Sequence, residues 1–296
     1  MKPAAATAIL AVAATALATP AFADAFFFST GNTDDKIATA SRPDTPFGFE
    51  IEAGDDFALT QATTITSATF TGLITGSRPG SSIGQVVVEI YRVFPNDSDV
   101  GRTSGPPTFS TPNVPTRVNS PSDIAFADRD AATGGLHFLA ADLGSVTAAN
   151  SVQPGGIHKK PGQTTGGNGP LSGEEFEFGV TFDKPLSLPA DHYFFVPQVE
   201  VTNGDGSFFW LSAPKPIVPP GTPFPPGFND LQSWTRDGTI DPDWLRVGTD
   251  IVGGDVPPTF NATFSLTGVT VPEPASLSLF GLALAGLGAF RLRRRR

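Results

Sequence analysis

Residues 174–182 read Glu-Glu-Phe-Glu-Phe-Gly-Val-Thr-Phe. Phe176, Phe178, Val180 and Phe182 alternate with Glu177, Gly179 and Thr181. Successive side chains of a strand point to opposite faces, so this period-two pattern predicts one buried and one wet face. The sequence around it repeats the theme. Thr63–Ile74 (TTITSATFTGLI) is rich in β-branched residues, which suit strands. Gln85–Phe94 (QVVVEIYRVF) carries apolar residues on both faces, which predicts a strand covered on one side and partly covered on the other.

Tyr193–Val201 (YFFVPQVEV) is a further strand, whose Pro197 argues for an edge or a bulge. Asn203-Gly204-Asp205-Gly206 separates it from Phe208–Leu211 and reads as a hairpin turn. Thr259–Thr267 places Phe260, Ala262, Phe264 and Leu266 inward. Toward the start, Ala25–Ser29 is an apolar strand. Phe47–Ile51 and Asp56–Leu59 are short strands split by Ala53-Gly54-Asp55. Leu136–Leu139 reads as a strand and Ala140–Ala149 as a short helix. Between these segments lie Pro95–Pro121, with six prolines, Ser151–Gly173, rich in Gly and Pro, and Pro214–Pro226, with seven prolines. Such stretches cannot form ladders and predict long surface loops. About eight to ten strands and no internal repeat predict an all-β fold: a single antiparallel β-sandwich of jelly-roll type. Division into two β domains within Pro95–Gly173 is the alternative.

Both ends have another character. Lys2 precedes the alanine-rich apolar run Ala4–Ala18, and Ala21-Phe22-Ala23 is a small-x-small cleavage box. Residues 1–23 read as a signal peptide for the Sec translocon, with Asp24 as the mature start. At the other end Val271–Arg296 reads VPEPASLSLFGLALAGLGAFRLRRRR. The run Ala275–Phe290 is uncharged and long enough for a short transmembrane helix of about 24 Å. The five arginines within 291–296 would hold its end in the cytoplasm. Pro272, Glu273 and Pro274 precede the run.

That order of parts resembles the PEP-CTERM sorting signal. The resemblance implies recognition by the membrane protease-transpeptidase exosortase, removal of residues 271–296, and delivery to the surface of a Gram-negative cell that makes exopolysaccharide. An anchor that is never cut would explain the helix and the arginines but not the motif. The stretch Asp55, Asp56, Phe57 followed by Thr63–Thr66 also resembles secreted bacterial β-sandwich modules. Residues 24–270 then form the exported domain.

Trimming both ends leaves thirteen basic and twenty-eight acidic residues, a net charge of −15. This argues against nucleic acid as a partner. Cysteine is absent, which excludes disulfides and thiolate metal sites. Twenty-five phenylalanines against three tryptophans and two tyrosines point to a core made of rings without polar handles.

No catalytic motif survives inspection. Ser212 and Lys215 match Ser-x-x-Lys in letters, but Pro214 and Pro216 forbid the helix that would align them. His192 is the best general-base candidate, set against a strand-end structural role. Glu174, Glu175, Glu177 and Glu200 lie near strands, and Glu175 and Glu177 project from one face of theirs. Paired carboxylates suit glycoside hydrolysis, and equally a solvated sheet face. The expectation is a protein that is not an enzyme and needs no cofactor.

A structural calcium could use the loop oxygens at Asp97, Asp99, Asp128, Asp130, Asp205 or Asp237–Asp243, none of which completes an EF-hand loop. For sugar binding, Trp234 and Trp244 with Asp241 and Asp243 are the candidates: an indole stacks on a pyranose and a carboxylate binds its hydroxyls. A packing role for both rings is the alternative. The function expected is a structural or adhesive one associated with exopolysaccharide. A carbohydrate-binding module is the second reading, and a polysaccharide-modifying enzyme the third.

Overall fold

A computed structural model describes residues 23–45, 48–77, 80, 82–101, 118–157, 164–202, 206–238 and 243–272. The chain separates into residues 25–269 and a terminal unit of the residues before Ala25 and from Thr270 onward. Fifteen strands occur among the described residues. They are β1 (Ala25–Ser29), β2 (Ile37–Ala40), β3 (Ile51–Leu59), β4 (Thr63–Ile74) and β5 (Ile83–Arg92). Then come β6 (Ala127–Asp130), β7 (His137–Ala148), β8 (Asn150–Val152), β9 (Leu171–Leu188) and β10 (Asp191–Val201). Last are β11 (Phe208–Ala213), β12 (Trp234–Asp237), β13 (Leu245–Arg246), β14 (Asn261–Ala262) and β15 (Phe264–Thr270).

One sheet runs β1-β15-β4-β11-β2-β8, with β9 also on β4, β7 beyond β9, and β14 on β11. The other runs β13-β12-β3-β10-β5-β6. β4 is the branch point. It pairs with β9 from Thr63 to Ile74, while Gly72, Leu73 and Ile74 also pair with β11. Gly72 is required there, because a Cβ would lie 2.3 Å from the Phe208 ring.

The alternation in residues 174–182 does what it predicts: Phe176, Phe178, Val180 and Phe182 are buried. They join a core to which both sheets contribute. Phe195 of one sheet stacks on Phe264 of the other, with centroids 5.1 Å apart, and Phe70 lies 6.3 Å from Phe195. Within the larger sheet Phe70 stacks on its cross-strand partner Phe178 at 4.9 Å. The two sheets therefore face each other across a phenylalanine layer.

Several local expectations change. The expected split at Ala53-Gly54-Asp55 is absent; β3 runs unbroken through Asp55 and Asp56. It is buried at every position because other segments cover its outer side as well. Ala140–Ala149 is not helical: β7 extends to Ala148 against β9. A bulge at Asp142–Gly144 interrupts this pairing, with Gly144 at φ +98° and its N–H donating to Asp142 Oδ1. β10 and β11 are not a hairpin. β10 pairs with β3 and β5, and β11 with β2, β4 and β14, so the chain changes sheets between them.

Pro197 is in an internal strand, but beyond Phe195, where the β3 ladder has ended. Its missing N–H therefore breaks no ladder bond. A register shift follows at Val199–Val201. The pairing is not wholly antiparallel either, since β2 and β8 run parallel.

Phe264→Ala should cost about 3–5 kcal/mol by opening a cavity in the layer between the sheets. Phe27→Ala, at an exposed ring of the neighbouring strand, should stay within about 0.5 kcal/mol. Urea unfolding of both variants decides this. Equal midpoints would remove the shared core.

Candidate functional site

The outer side of the six-stranded sheet holds the most concentrated chemistry. β3 projects Glu52 there, β5 projects Glu89 and Tyr91, and β12 projects Arg236. Arg236 Nε donates to Glu52 Oε2 at 2.5 Å and Nη2 donates to Glu52 Oε1 at 3.2 Å. Nη2 also donates to Tyr91 Oη at 3.2 Å, and Nη1 to the Asp123 carbonyl at 3.2 Å. The guanidinium lies 4.4 Å over the Trp244 ring. Tyr91 Oη donates a short hydrogen bond to Glu52 and lies 3.1 Å from Glu89 Oε2.

Burial, then the charges of Glu52 and Glu50, pushes the Glu89 carboxyl up to about 9. A protonated Glu89 thus stands beside a Glu52 that Arg236 neutralises. Glu50, which accepts from Gln198 Nε2 at 3.0 Å, is also raised by burial and by Glu52. This arrangement clamps β12 to β3 and leaves the guanidinium closed off from solvent.

The tryptophans named for sugar stacking are part of this packing. Trp234 and Trp244 are 1% and 2% exposed. Trp244 packs edge-on against Tyr91 and donates from Nε1 to the Ser122 carbonyl at 2.9 Å. Trp234 lies in the same apolar cluster, with Arg246 5.9 Å from its ring. In this structure neither indole offers a face to a ligand, because Arg236 and Tyr91 cover Trp244 and both rings are packed into a cluster with Phe194 and Val196. Asp243 is buried, and Asp241 lies outside the described residues. Trp210 is buried in the main core.

His192 meets Asp56 Oδ2 at 2.6 Å. Burial lowers the imidazole to about 4 and raises Asp56 well above the usual carboxylate range. The contact therefore joins a neutral imidazole to a carboxyl that resists ionisation. Leu231 N–H also donates to Asp56 at 3.1 Å, and Ala262 N–H donates to Asp55 at 2.8 Å. Lys215 is held by Asp230 Oδ1 at 2.5 Å and Asn261 Oδ1 at 2.9 Å. These groups fasten the proline-rich segment and β14 to β3. Ser212 donates to Asp34 rather than facing Lys215.

The loop aspartates serve local geometry. Asp97 takes two 2.6 Å bonds from Arg92, which hold its carboxyl below the usual range. Asp99 accepts from Gly101 N–H, and Asp130 from Ala132 N–H and Gln85. Asp205 lies outside the described residues. Among those described, no three His, Asp or Glu side chains converge as metal ligands.

A groove of about 340 Å³ crosses the outer face of the larger sheet. β4 supplies Thr69 and Thr71, β15 supplies Ser265, and β9 supplies Glu175 and Glu177. Phe27 of β1 and Leu143 of β7, each 56% exposed, form its apolar walls. Thr69 Oγ1 and Ser265 Oγ are 2.7 Å apart. Burial, then the Asp35 charge, raises the Glu175 carboxyl, against a hydrogen bond with Thr33. A second groove, of about 430 Å³, includes Arg42, Gln153 and Glu200. It carries charges of both signs, and Arg42 Nε is bound to the Phe49 carbonyl at 3.0 Å.

Sequence reasoning found Glu175 and Glu177 by their shared face. It missed Phe27, Thr69 and Ser265, which come from three other strands. It also missed the Glu52–Arg236–Tyr91 cluster, although charged residues inside apolar strand segments were a signal for it.

In the terminal unit Asp24 N–H donates to Thr270 Oγ1 at 2.9 Å, and Thr270 N–H donates to the Asp24 carbonyl at 2.8 Å. Of the cleavage-box residues Ala23 is described and exposed, and Ala21 is outside the described residues. Pro272 is described, whereas Glu273, Pro274, the proposed helix 275–290 and the basic tail 291–296 are not. Among the described residues no helix is long and apolar enough to cross a membrane.

The structure defines an all-β protein of two sheets. The family description "PEP-CTERM protein-sorting motif" matches residues 270–295, which include Pro272, Glu273 and Pro274. The chain carries a PEP-CTERM protein-sorting motif in its C-terminal region, and that motif implies sorting by exosortase to the surface or exterior of a Gram-negative cell. No curated protein and no solved structure matches it.

Arg236→Met should cost about 3–5 kcal/mol, since it strands a buried glutamate. Adding Glu52→Gln should restore part of the loss in urea unfolding. A double variant as unstable as the sum of the singles would remove the coupling. Glu89 supplies a pH test. Between about 4.3, the unfolded carboxyl value, and the folded value of about 9, the folded chain keeps a proton that the unfolded chain releases. Its contribution to stability is therefore present at low pH and declines as pH rises through that window. Glu89→Gln should raise the melting temperature at about pH 8.5 and leave it nearly unchanged at about pH 4. The same shift at both values would contradict a protonated Glu89.

Proposed function

We propose that residues 24–270 form a non-enzymatic jelly-roll sandwich with a structural or adhesive role at the cell surface or in the exopolysaccharide matrix. The sorting motif at 270–295 carries this reading. It gives the chain an address outside the cell. His192, the candidate general base, meanwhile, is engaged with Asp56 of the neighbouring strand. In this reading the Sec translocon delivers the chain, residues 1–23 are removed, and the helix 275–290 holds it in the inner membrane until exosortase acts. No cofactor enters it.

The jelly roll rests on strand order. β1-β15-β4-β9 in one sheet and β3-β10-β5-β6 in the other pair as two interlocked Greek keys would. β2, β7, β8, β11 and β14 extend the first sheet, and β12 and β13 the second.

Carbohydrate binding is the second reading, favoured by one observation: the hydroxyl-lined groove over β4, β9 and β15. It replaces the Trp234 and Trp244 platform.

Intact mass spectrometry of surface and membrane fractions tests the processing. The surface form should begin at Asp24 and lack the arginine tail. Replacing Pro272, Glu273 and Pro274 with alanine should leave a full-length C-terminus in the membrane fraction. If wild-type protein keeps its full C-terminus in every fraction, the processing reading fails.

A further inference from the structure

We infer that the groove on the outer face of the larger sheet binds a cationic polysaccharide, a chain of sugars bearing free amino groups. This deepens the adhesive reading and rests on it. Three features of the groove meet in one ligand chemistry.

The first is sign. Glu175 and Glu177 face the groove, and Asp35 acts on Glu175 by charge. Among the described residues neither glutamate has a cation partner in an ion pair; the hydrogen bond to Glu175 is that of Thr33. Part of the water around Glu175 is already lost, and its nearest charge is repulsive. An ammonium group placed between the two glutamates would relieve both penalties through charge-assisted hydrogen bonds. An anionic or uronic acid polymer would add to the repulsion.

The second feature is hydroxyls. Thr69, Thr71 and Ser265 stand in a row across two paired strands. Hydroxyl groups both donate and accept, which matches the hydroxyls of a sugar ring. They are fixed by the sheet and lose little freedom on binding. A protonated peptide amine would satisfy the glutamates but make no use of the donor and acceptor capacity that this row keeps beyond the Thr69–Ser265 hydrogen bond.

The third is the walls. Phe27 is a large exposed ring at one side of the groove, and Leu143 stands at the opposite side. The C–H face of a pyranose packs on such a ring, and an ammonium at its edge gains from the ring's negative face. The groove is open and crosses strands β1, β15, β4, β9 and β7, so a chain can lie along it without its ends being enclosed. A volume of about 340 Å³ falls at the small end of ligand clefts, enough for a short run of a chain rather than a folded partner.

The probe is a fully deacetylated chito-oligosaccharide, titrated calorimetrically into the exported domain (residues 24–270, purified as the processed protein) at about pH 6, where its amines are charged. The N-acetylated oligomer and a neutral cello-oligosaccharide run alongside. Saturable binding of the amino form is expected, at least about tenfold tighter than either neutral oligomer and weakening with salt. Glu175→Gln/Glu177→Gln should weaken it about tenfold or more, and Phe27→Ala should weaken all three sugars together.

Asp128→Asn/Asp255→Asn changes the net charge equally at exposed sites that do not line the groove, and should leave affinity unchanged. Should the glutamate pair disturb folding, Glu177→Gln alone carries the test, as that side chain is exposed. Equal affinity for neutral and amino oligomers overturns the cationic class while the adhesive reading stands. An equal loss in the Asp128/Asp255 variant reduces the effect to bulk charge and overturns the site. No binding of any sugar overturns it as well, and leaves the processing result untouched.

Discussion

β3 is buried along its whole length and still carries Glu52, Asp55 and Asp56. That constraint shapes the rest of the structure. A carboxylate taken from water needs a charge partner, a hydrogen-bond donor or a proton. The chain provides each in turn: Arg236 for Glu52, the Ala262 N–H for Asp55, and His192 with the Leu231 N–H for Asp56. All three solutions draw in residues remote in sequence. The irregular proline-rich region, β12 and β14 are thereby tied to the centre of the six-stranded sheet.

This arrangement also explains where positive charge remains. Arg92, Lys215, Arg236 and Arg246 each pair with a carboxylate of the same domain. Cations used internally cannot offset the acidic residues of the sheet faces. The groove at Glu175 and Glu177 keeps its negative sign, since neither glutamate has an ion-pair partner among the described residues. Arg236 also sits against Tyr91 and Trp244, so the aromatic residues that looked free to bind sugar are committed to the same clamp.

The all-β class and the main core were legible because alternation in segments such as Phe176–Phe182 is a local property. The sorting signal was legible for the same reason, since its three parts are contiguous. What escaped was set by pairing at long range. Ala140–Ala149 has helix-forming alanines, yet β9 offers it a ladder edge and the ladder prevails. Ala53-Gly54-Asp55 has turn composition, but Gly54 lies under Trp244 and Val196, where a side chain would crowd the packing. The groove was half visible: Glu175 and Glu177 share a strand, whereas Phe27 and Ser265 reach it only because the first and last strands pair. The tryptophans misled because residue type reports chemistry, and exposure is decided by what the rest of the chain lays on top.

The pairing of β1 with β15 has a mechanical side. Ala25 to Ser29 match Val269 to Ser265 in antiparallel register, and the chain leaves β15 directly into the sorting motif. Whatever holds the mature protein by its C-terminal end pulls on β15. A polymer bound in the groove, as inferred above, would pull on β1 and on the same β15. Tension between matrix and cell would then pass through these two end strands and their flank on β4, while the six-stranded sheet stays outside the load path. In that arrangement, resistance to rupture under traction would depend on the hydrogen bonds along β15 more than on global stability.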